Sequence, residues 1–454
     1  MNQETTKQLF SGRDLRKLII PLIFEQALAI TVGMADTMMI SSVGEAAVSG
    51  VSLVDMINIL MFNIMAALAT GGAVVTSQFL GARRRDEARK SAVQLLYTVI
   101  FAGVTLGALT VLVRRPMLRL FFGRIEADVM ESALIYLTIS AFSFPFLAVY
   151  NACAALFRSM GNSQITLKVS ILINLINVAG NAVCIFGLHM GTAGVAIPSL
   201  ISRAVGSIVL YVLLRNPELE ICFLKGPFRP DLKTVKKILY IGIPSGVENG
   251  IFQLGRVLVV SIISGFGTVQ IAANGVANNL DSVGIIIGNA VNLAMITVIG
   301  QCVGAGDEKQ IRFYTRRLLL ITYIPTVILN VVVFLNLNWI LALYGLSEET
   351  TRLARTLIFI HNGCACALWP LSFTFPNMLR ACNDVRYTMV VSIVSMFLFR
   401  IGFSYLIGVR LGYGAIGVWI AMVLDWICRV ICFLLRYAGG KWRRLAGLDL
   451  QLTE

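Results

Sequence analysis

The sequence predicts an all-α integral membrane protein: twelve transmembrane helices in two pseudo-symmetric six-helix lobes around a central cavity. Three observations carry this expectation: an apolar composition, twelve apolar runs of spanning length, and a repeat relating the two halves. Of the 454 residues, 57% are hydrophobic and 14% charged. The mean hydropathy is +0.80, far outside the range of soluble globular chains. The apolar runs fall at 18–40, 52–79, 91–113, 132–156, 165–187, 192–214, 238–264, 277–303, 318–336, 353–379, 387–409 and 412–435. At about 1.5 Å per residue, each can cross about 30 Å of hydrocarbon. Twelve is even, so both ends share one side.

The first run is the most informative, because Glu25 and Asp36 are its only charges. Eleven residues apart, they lie only about 20° apart in azimuth and about 16 Å apart in height, on one stripe of the helix. A charge near the bilayer centre costs about 2.5 to 3.5 kcal/mol on insertion scales, so such acids face protein or water and carry function or a buried polar contact. The residues before this run are polar and basic, and the run is too long for a leader h-region, so no cleavable signal peptide is expected. Seven of the nine cysteines (Cys153, Cys184, Cys302, Cys364, Cys366, Cys428 and Cys432) fall within runs, with no CxxC pair. They read as small apolar fillers rather than metal ligands.

The basic residues orient the chain. With the amino terminus inside, and with Lys168 and Arg355 near the edges of their runs assigned to the adjoining loops, cytoplasmic segments hold 27 of the 38 Lys and Arg, opposite loops seven and the spans four, the asymmetry expected of cytoplasmic loops. Lys7, Arg13, Arg16, Lys17, Arg83, Arg84, Arg85, Arg89 and Lys90 are among the inside group. The loop carrying Arg114, Arg115, Arg119 and Arg124 runs against the rule, offset in part by Glu126, Asp128 and Glu131. The net charge of +14 is therefore a matter of topology, and nucleic acid is not an expected partner.

The interval 215–237 holds three of the eleven prolines and separates six runs from six. The expected organisation is an amino-terminal lobe at 1–214, a cytoplasmic linker at 215–237, a carboxyl-terminal lobe at 238–437 and a cytoplasmic tail at 438–454. With an offset near 223, Pro21 aligns with Pro244, Glu25 with Glu248, Gln78 with Gln301, Gly81 with Gly304, Arg158 with Arg380, Gly187 with Gly408 and Gly191 with Gly412. Six spans per unit give the halves parallel topology, an arrangement suited to rocking about a shared site. The order of P-x-x-x-E-Q, ADTMMISSVGEAAVSGVSL, SQFLGARRRDEAR and NLINVAGNAVCIFGLHMGTAGVAI resembles the multidrug and toxin extrusion (MATE) family over the whole chain. The resemblance implies export of amphipathic, often cationic, compounds in exchange for protons or sodium ions, without ATP. No phosphate-cradling G-x-x-x-x-G-K-[ST] loop is present, so no cofactor is expected and an ion gradient must drive transport.

In the prokaryotic proteins that the chain resembles, an acid of the first helix sits near polar residues of the fifth and sixth. The match falls on Asp36, Asn177, Asn181 and Ser199, with Asn181 standing where a second aspartate is common. One carboxylate among amides suffices for a proton, while loss of the second acid weakens a sodium site at Asp36. Val259 stands at the repeat position of Asp36, so the carboxyl-terminal half is expected to lack a deep acid. Glu248 is a secondary candidate for ion coupling. Glu25, Met34, Met38, Phe62, Met65, Phe146, Tyr150, Phe252 and His361 are candidates for the substrate cavity, soft and aromatic side chains being suited to varied ligands. Interhelical hydrogen bonding is the alternative role of Asn174, Asn177 and Asn181, and core packing that of the apolar set. Among the remaining span charges, Arg203, Arg256, Arg400, Asp425 and Arg429, the last two are expected to pair at i,i+4 on one helix. Gly71, Gly72, Gly81, Gly300, Gly304 and Gly306 read as close-packing points and helix stops.

The expected function is ion-coupled antiport by alternating access in the cell membrane, by a monomer surrounded by lipid. A flippase for a lipid-linked precursor is the nearest alternative, but should line its cavity with several basic residues. A membrane-embedded enzyme lacks a histidine-rich motif, since only His189 and His361 are present. The charge asymmetry places both termini and the linker in the cytoplasm. A cysteine introduced at Thr234 should therefore resist an impermeant thiol reagent added to intact cells and react after permeabilisation, over the background of the parent chain. Ready labelling from outside would reverse the orientation.

Overall fold

The computed structural model describes residues 8–123, 126–223 and 230–448. Lys7, Arg124, Lys225 and Arg229 of the charge count lie outside the described residues. Among the described residues the secondary structure is helical, without a strand. Twelve helical stretches are long and apolar enough to span a membrane. The chain divides into two compact units, Phe10–Gly246 and the part from Val247 onward, with which Leu9 is grouped.

The amino-terminal unit contains α1 (Gly12–Ser41), α2 (Glu45–Gly81), α3 (Arg85–Phe122), α4 (Ala127–Ser159), α5 (Ser163–Ala182, prolonged by a π turn at Val183–Gly187), α6 (Ala193–Leu213) and the start of α7 (Leu232–Ser264). Helix α1 begins six residues before its apolar run because Ser11 caps Asp14 N while Asp14 caps Ser11 N, a capping box. Pro21 lies inside α1 and has no N–H for Lys17 O; the Ser163 hydroxyl of α5 donates to that carbonyl at 3.1 Å. Just before α7, Asp231 accepts from the Thr234 hydroxyl at 2.6 Å and from Lys233 N at 3.0 Å. These bonds, the Thr234 hydroxyl first, hold its carboxyl below the usual range. The unit's core joins Ile40, Val54 and Ile57 to Leu118, Leu137, Ile185 and Val195.

The carboxyl-terminal unit takes the rest of α7, then α8 (Thr268–Gly284), α9 (Ile286–Gly304), α10 (Glu308–Leu343), α11 (Glu348–Trp369), α12 (Phe375–Ala381), α13 (Val385–Ser395), α14 (Gly414–Ala438) and α15 (Lys441–Leu445). A π turn at Pro370–Thr374 joins α11 to α12, and π segments at Met396–Gly402 and Ser404–Arg410 prolong α13. The apolar run at 277–303 corrects the sequence reading, because it is broken. After Gly284, Ile285 adopts φ −106° and ψ 0°, the sparsely allowed bridge region, so α8 and α9 are separate helices. A core of this unit is built from Ala273, Leu280, Leu337, Leu357, Ile358, Val418 and Trp419.

The repeat is visible in the turns. Left-handed or similarly positive φ recurs at Gly44 and Gly267, Arg83 and Gly306, Gly161 and Asn383, and Gly191 and Gly412. Arg83 and Asn383, which have a Cβ, accept a conformation that glycine supplies at the partner position, so the turn geometry is imposed by the helices on either side.

Close approach explains some glycines. A Cβ on Gly71 would lie 2.4 Å from Ile238 O, and one on Gly72 2.3 Å from the Leu95 side chain, as the small-residue reading of that pair requires. Two others were missed: Cβ atoms on Gly103 and Gly107 of α3 would meet Pro145 Cα at 2.8 Å and Ala141 O at 2.7 Å on α4, a small-xxx-small contact. Backbone cannot yield as a side chain can, so Gly107→Leu should lower the thermal midpoint in detergent by an amount corresponding to about 1 to 3 kcal/mol. Gly33→Ala, where nothing lies within 4 Å, should not lower it. Equal midpoints for Gly107→Leu and the parent would refute the contact.

Candidate functional site

The two glutamates of the repeated P-x-x-x-E pattern meet the two arginines that the same alignment pairs. Glu25 Oε1 of α1 lies 3.8 Å from Arg158 Nη1 of α4, and Glu25 Oε2 accepts from the Thr166 hydroxyl at 3.1 Å. Glu248 Oε1 of α7 accepts from Arg380 Nη2 of α12 at 2.7 Å and lies 3.7 Å from Arg429 Nη2 of α14. Arg380 also donates to Asn377 Oδ1 at 2.6 Å, and Arg429 to Ser392 Oγ at 2.9 Å. The equivalent acid therefore holds the equivalent base within each unit. Glu248 is buried, and the arrangement satisfies charges more fully than it offers them to an ion. The expected Asp425–Arg429 pair is not formed. Arg429 reaches Glu248 instead, while Asp425 accepts from Ser395 and lies 3.7 Å from Arg400 Nε, because inward-facing charges find counter-charges on neighbouring helices.

Asp36 presents a different environment. Asn181 Nδ2 of α5 donates to Asp36 Oδ1 at 2.7 Å and approaches Asn177 Oδ1 at 3.4 Å, and Asn177 Nδ2 donates to Ser199 Oγ of α6 at 2.9 Å. Asp36, Asn177, Asn181 and Ser199 thus form one hydrogen-bonded chain across three helices. Asn181 is fully buried, and its Oδ1 has no hydrogen-bond donor. Asp36 itself is half-buried and lacks an arginine within ion-pair distance among the described residues.

The site also contains an acid that sequence reasoning missed. Asp55, at the start of the second span, accepts from Tyr136 OH at 3.1 Å and from Asn58 Nδ2 at 3.3 Å. It lies within electrostatic reach of Asp36 and Arg203. Asn58 Nδ2 also approaches Ser140 Oγ at 3.3 Å, and Arg203 Nη1 donates to Ser143 Oγ at 2.6 Å. The expectation of a single carboxylate in this unit is therefore corrected: the second acid comes from α2 rather than from position 181. A charged residue two positions beyond the motif ADTMMISSVGEAAVSGVSL, inside the run 52–79, was the available signal.

The expected lack of a deep acid in the carboxyl-terminal unit is corrected as well. Asp281 of α8 is buried, with Oδ1 2.8 Å from His361 Nδ1, which also lies 3.0 Å from Asn362 Oδ1. His361 and Phe252, both expected at a substrate cavity, line a pocket of about 320 Å³ within this unit, with Asp281, Arg256, Arg400, Trp369 and Trp426. Of the other candidates, Met34, Met38, Phe62 and Phe146 are exposed and Tyr150 is half-buried. Met65 has no accessible surface and packs inside its unit.

The MatE family model matches residues 21–183 and again 244–406, two equal segments displaced by 223 residues. The chain is 26% identical over 450 residues to the probable multidrug resistance protein NorM of Thermotoga maritima, covering 97% of this chain and 95% of that protein. It is 27% identical over 436 residues to the uncharacterized transporter YisQ of Bacillus subtilis, covering 94% of each. A crystal structure of MATE in the bent conformation superposes with a TM-score of 0.87 at 18% identity, over 97% of both chains. A model match over more than half the chain, in two copies that coincide with the repeat, establishes that this multi-pass membrane protein belongs to the MatE family and is a transporter, not an enzyme.

Proposed function

We propose that the chain exports amphipathic, cationic compounds in exchange for protons by alternating access, with coupling in the amino-terminal lobe at Asp36. The observation that carries this reading is the contrast between carboxylates. Glu25 and Glu248 are neutralised by arginines in both units, whereas Asp36 is held by an amide that can donate to a carboxylate or accept from a carboxylic acid. A proton and a cationic substrate can then exclude each other at one group, and each displaces the other by reciprocal linkage. From outside, protonation neutralises Asp36 and releases the cation; inside, deprotonation restores the charge and the affinity. Each pH unit supplies about 1.4 kcal/mol, or tenfold in concentration, per proton exchanged. Asp55 serves this site as a second acid, and Arg203 tempers the combined charge. Both termini and the 215–237 linker face the cytoplasm in this reading, and the lobes are 1–214 and 238–437. NorM of Thermotoga maritima bears a multidrug resistance name, which supports a broad substrate range here.

Sodium is a second reading, and one observation favours it: Asn181 Oδ1 and Asn58 Oδ1 are buried without donors beside Asp36 and Asp55. Oxygen ligands of this kind, with two carboxylates, suit a hard monovalent cation. Vesicles with pH and sodium gradients imposed separately decide between them. Efflux of a fluorescent organic cation should run on the pH gradient alone. Asp36→Asn should abolish coupled efflux while leaving the thermal midpoint near that of the parent, and Asp55→Asn should reduce it. Glu248→Gln should instead lower the midpoint, since Arg380 and Arg429 lose a buried counter-charge at a cost of about 3 to 5 kcal/mol. Normal coupled efflux by Asp36→Asn would end the assignment, and transport driven by sodium with pH clamped would replace the proton.

A further inference from the structure

The pocket of the carboxyl-terminal unit has a chemistry opposite to that of the Asp36 site. Its charged lining consists of Arg256 from α7, Asp281 from α8 and Arg400 from the π segment after α13, with His361 beside Asp281. Asp281 is engaged by His361 at 2.8 Å, and Arg400 by Asp425 at 3.7 Å. Arg256 is exposed in the unit, and no ion pair or hydrogen bond occupies its guanidinium among the described residues; Asp281 acts on it only from beyond ion-pair distance. Two arginines and one aspartate thus line the pocket, so its lining is net positive with His361 neutral. A neutral donor adds to it. Trp426 also lines the pocket, and its buried indole N–H has no acceptor. Buried donors without partners are uncommon, because leaving one unmade costs about 1 to 3 kcal/mol.

The aromatic surfaces argue in the same direction. A cationic ligand would need free ring faces, yet the protein's own cations already use two. Arg400 lies over Phe252 at 5.2 Å and Arg429 over Phe373 at 4.6 Å. Trp419 and Trp426 each stand edge-to-face with His361, with ring centroids 5.5 and 5.0 Å apart. An anion faces no such competition, and the apolar lining contributed by Trp369, Val259, Ile285 and Met422 suits a flat ring.

We infer that this pocket is a binding site for aromatic monoanions, in which Arg256 and the indole N–H of Trp426 take a carboxylate and the ring lies against the apolar lining of Val259, Ile285 and Met422. The volume of about 320 Å³ accommodates a two-ring molecule. The site is separate from the one proposed for coupling and does not depend on that reading.

Three isosteric probes test it: 2-naphthoate, 2-naphthamide and 2-naphthylmethylammonium, titrated calorimetrically into the purified full-length chain in lipid nanodiscs. Naphthoate should bind about tenfold or more tightly than either other probe. Arg256→Gln should erase that preference, Arg256→Lys should keep part of it, and Trp426→Phe, which retains a ring but loses the N–H, should weaken naphthoate severalfold. Asp36→Asn should leave naphthoate binding unchanged. The inference is overturned if the ammonium probe binds tightest, if none binds at millimolar concentration, or if Asp36→Asn alone removes the preference. It also fails if Arg256→Gln keeps the preference. Should Arg256→Gln not fold, Arg256→Lys and Trp426→Phe decide, and unchanged selectivity in both refutes the site.

Discussion

A full charge inside a membrane helix is tolerated only where a counter-charge or hydrogen-bonding groups meet it, and this constraint fixes much of the architecture. Glu25 and Glu248 each stand four residues after a proline, Pro21 and Pro244, and each finds an arginine of the fourth span in its own unit. Such a pair is costly to form, since two ions are desolvated, and far costlier to break, since one ion is then left alone. It therefore acts less as a source of net stability than as a register mark: the first and fourth spans of each unit can pack in only one way that avoids an orphaned charge. Glu248 is held more firmly than Glu25, with two arginines and closer contacts.

Where the two units agree, the shared feature is scaffold; where they differ, the difference has chemical content. The glutamate–arginine pairs and the four pairs of positive-φ turns are common to both. Asp36 and its asparagine chain have no counterpart, for Val259 stands at the repeat position. Conversely, the carboxyl-terminal unit has the pocket built on Asp281, His361 and Arg256. Duplicated backbone geometry can carry two sites of unlike polarity because helix packing depends on the shape and the paired charges, whereas a site depends on the few side chains left unpaired.

Much of this was legible in the sequence. Twelve spans, the displacement near 223 residues, and the cluster of Asp36, Asn177, Asn181 and Ser199 follow from apolar length, repeat alignment and the resemblance to the MATE family. What escaped shares a physical cause. Asp55 and Asp281 lie near the start of apolar runs, where a charge reads as the end of a span, and only the length of α2 and of α8 places them inside. The break at Ile285 lies in an unbroken apolar sequence, because neither glycine nor isoleucine there interrupts hydropathy while a single ψ near 0° interrupts the helix. The Asp425–Arg429 spacing fits an i,i+4 pair, but that local rule belongs to exposed helix surfaces, where no other partner competes. Inside a bundle, Glu248 and Arg400 compete and win.

The two units also differ in how their charges are paired. In the amino-terminal unit Glu25 is paired with Arg158, while Asp36 and Asp55 are held by hydrogen bonds from neutral groups. In the carboxyl-terminal unit Glu248 is paired with Arg380 and Arg429 and Asp425 with Arg400, and Asp281 lies against His361. Asp36, Asp55 and Arg203 in one unit and Arg256 in the other lack an ion pair among the described residues. An uncompensated charge in low dielectric is expensive, and a protein holds one only where a mobile ion, a proton or a ligand neutralises it during the working cycle. The unpaired charges therefore carry the two sites proposed above, while the paired charges keep the helices in register.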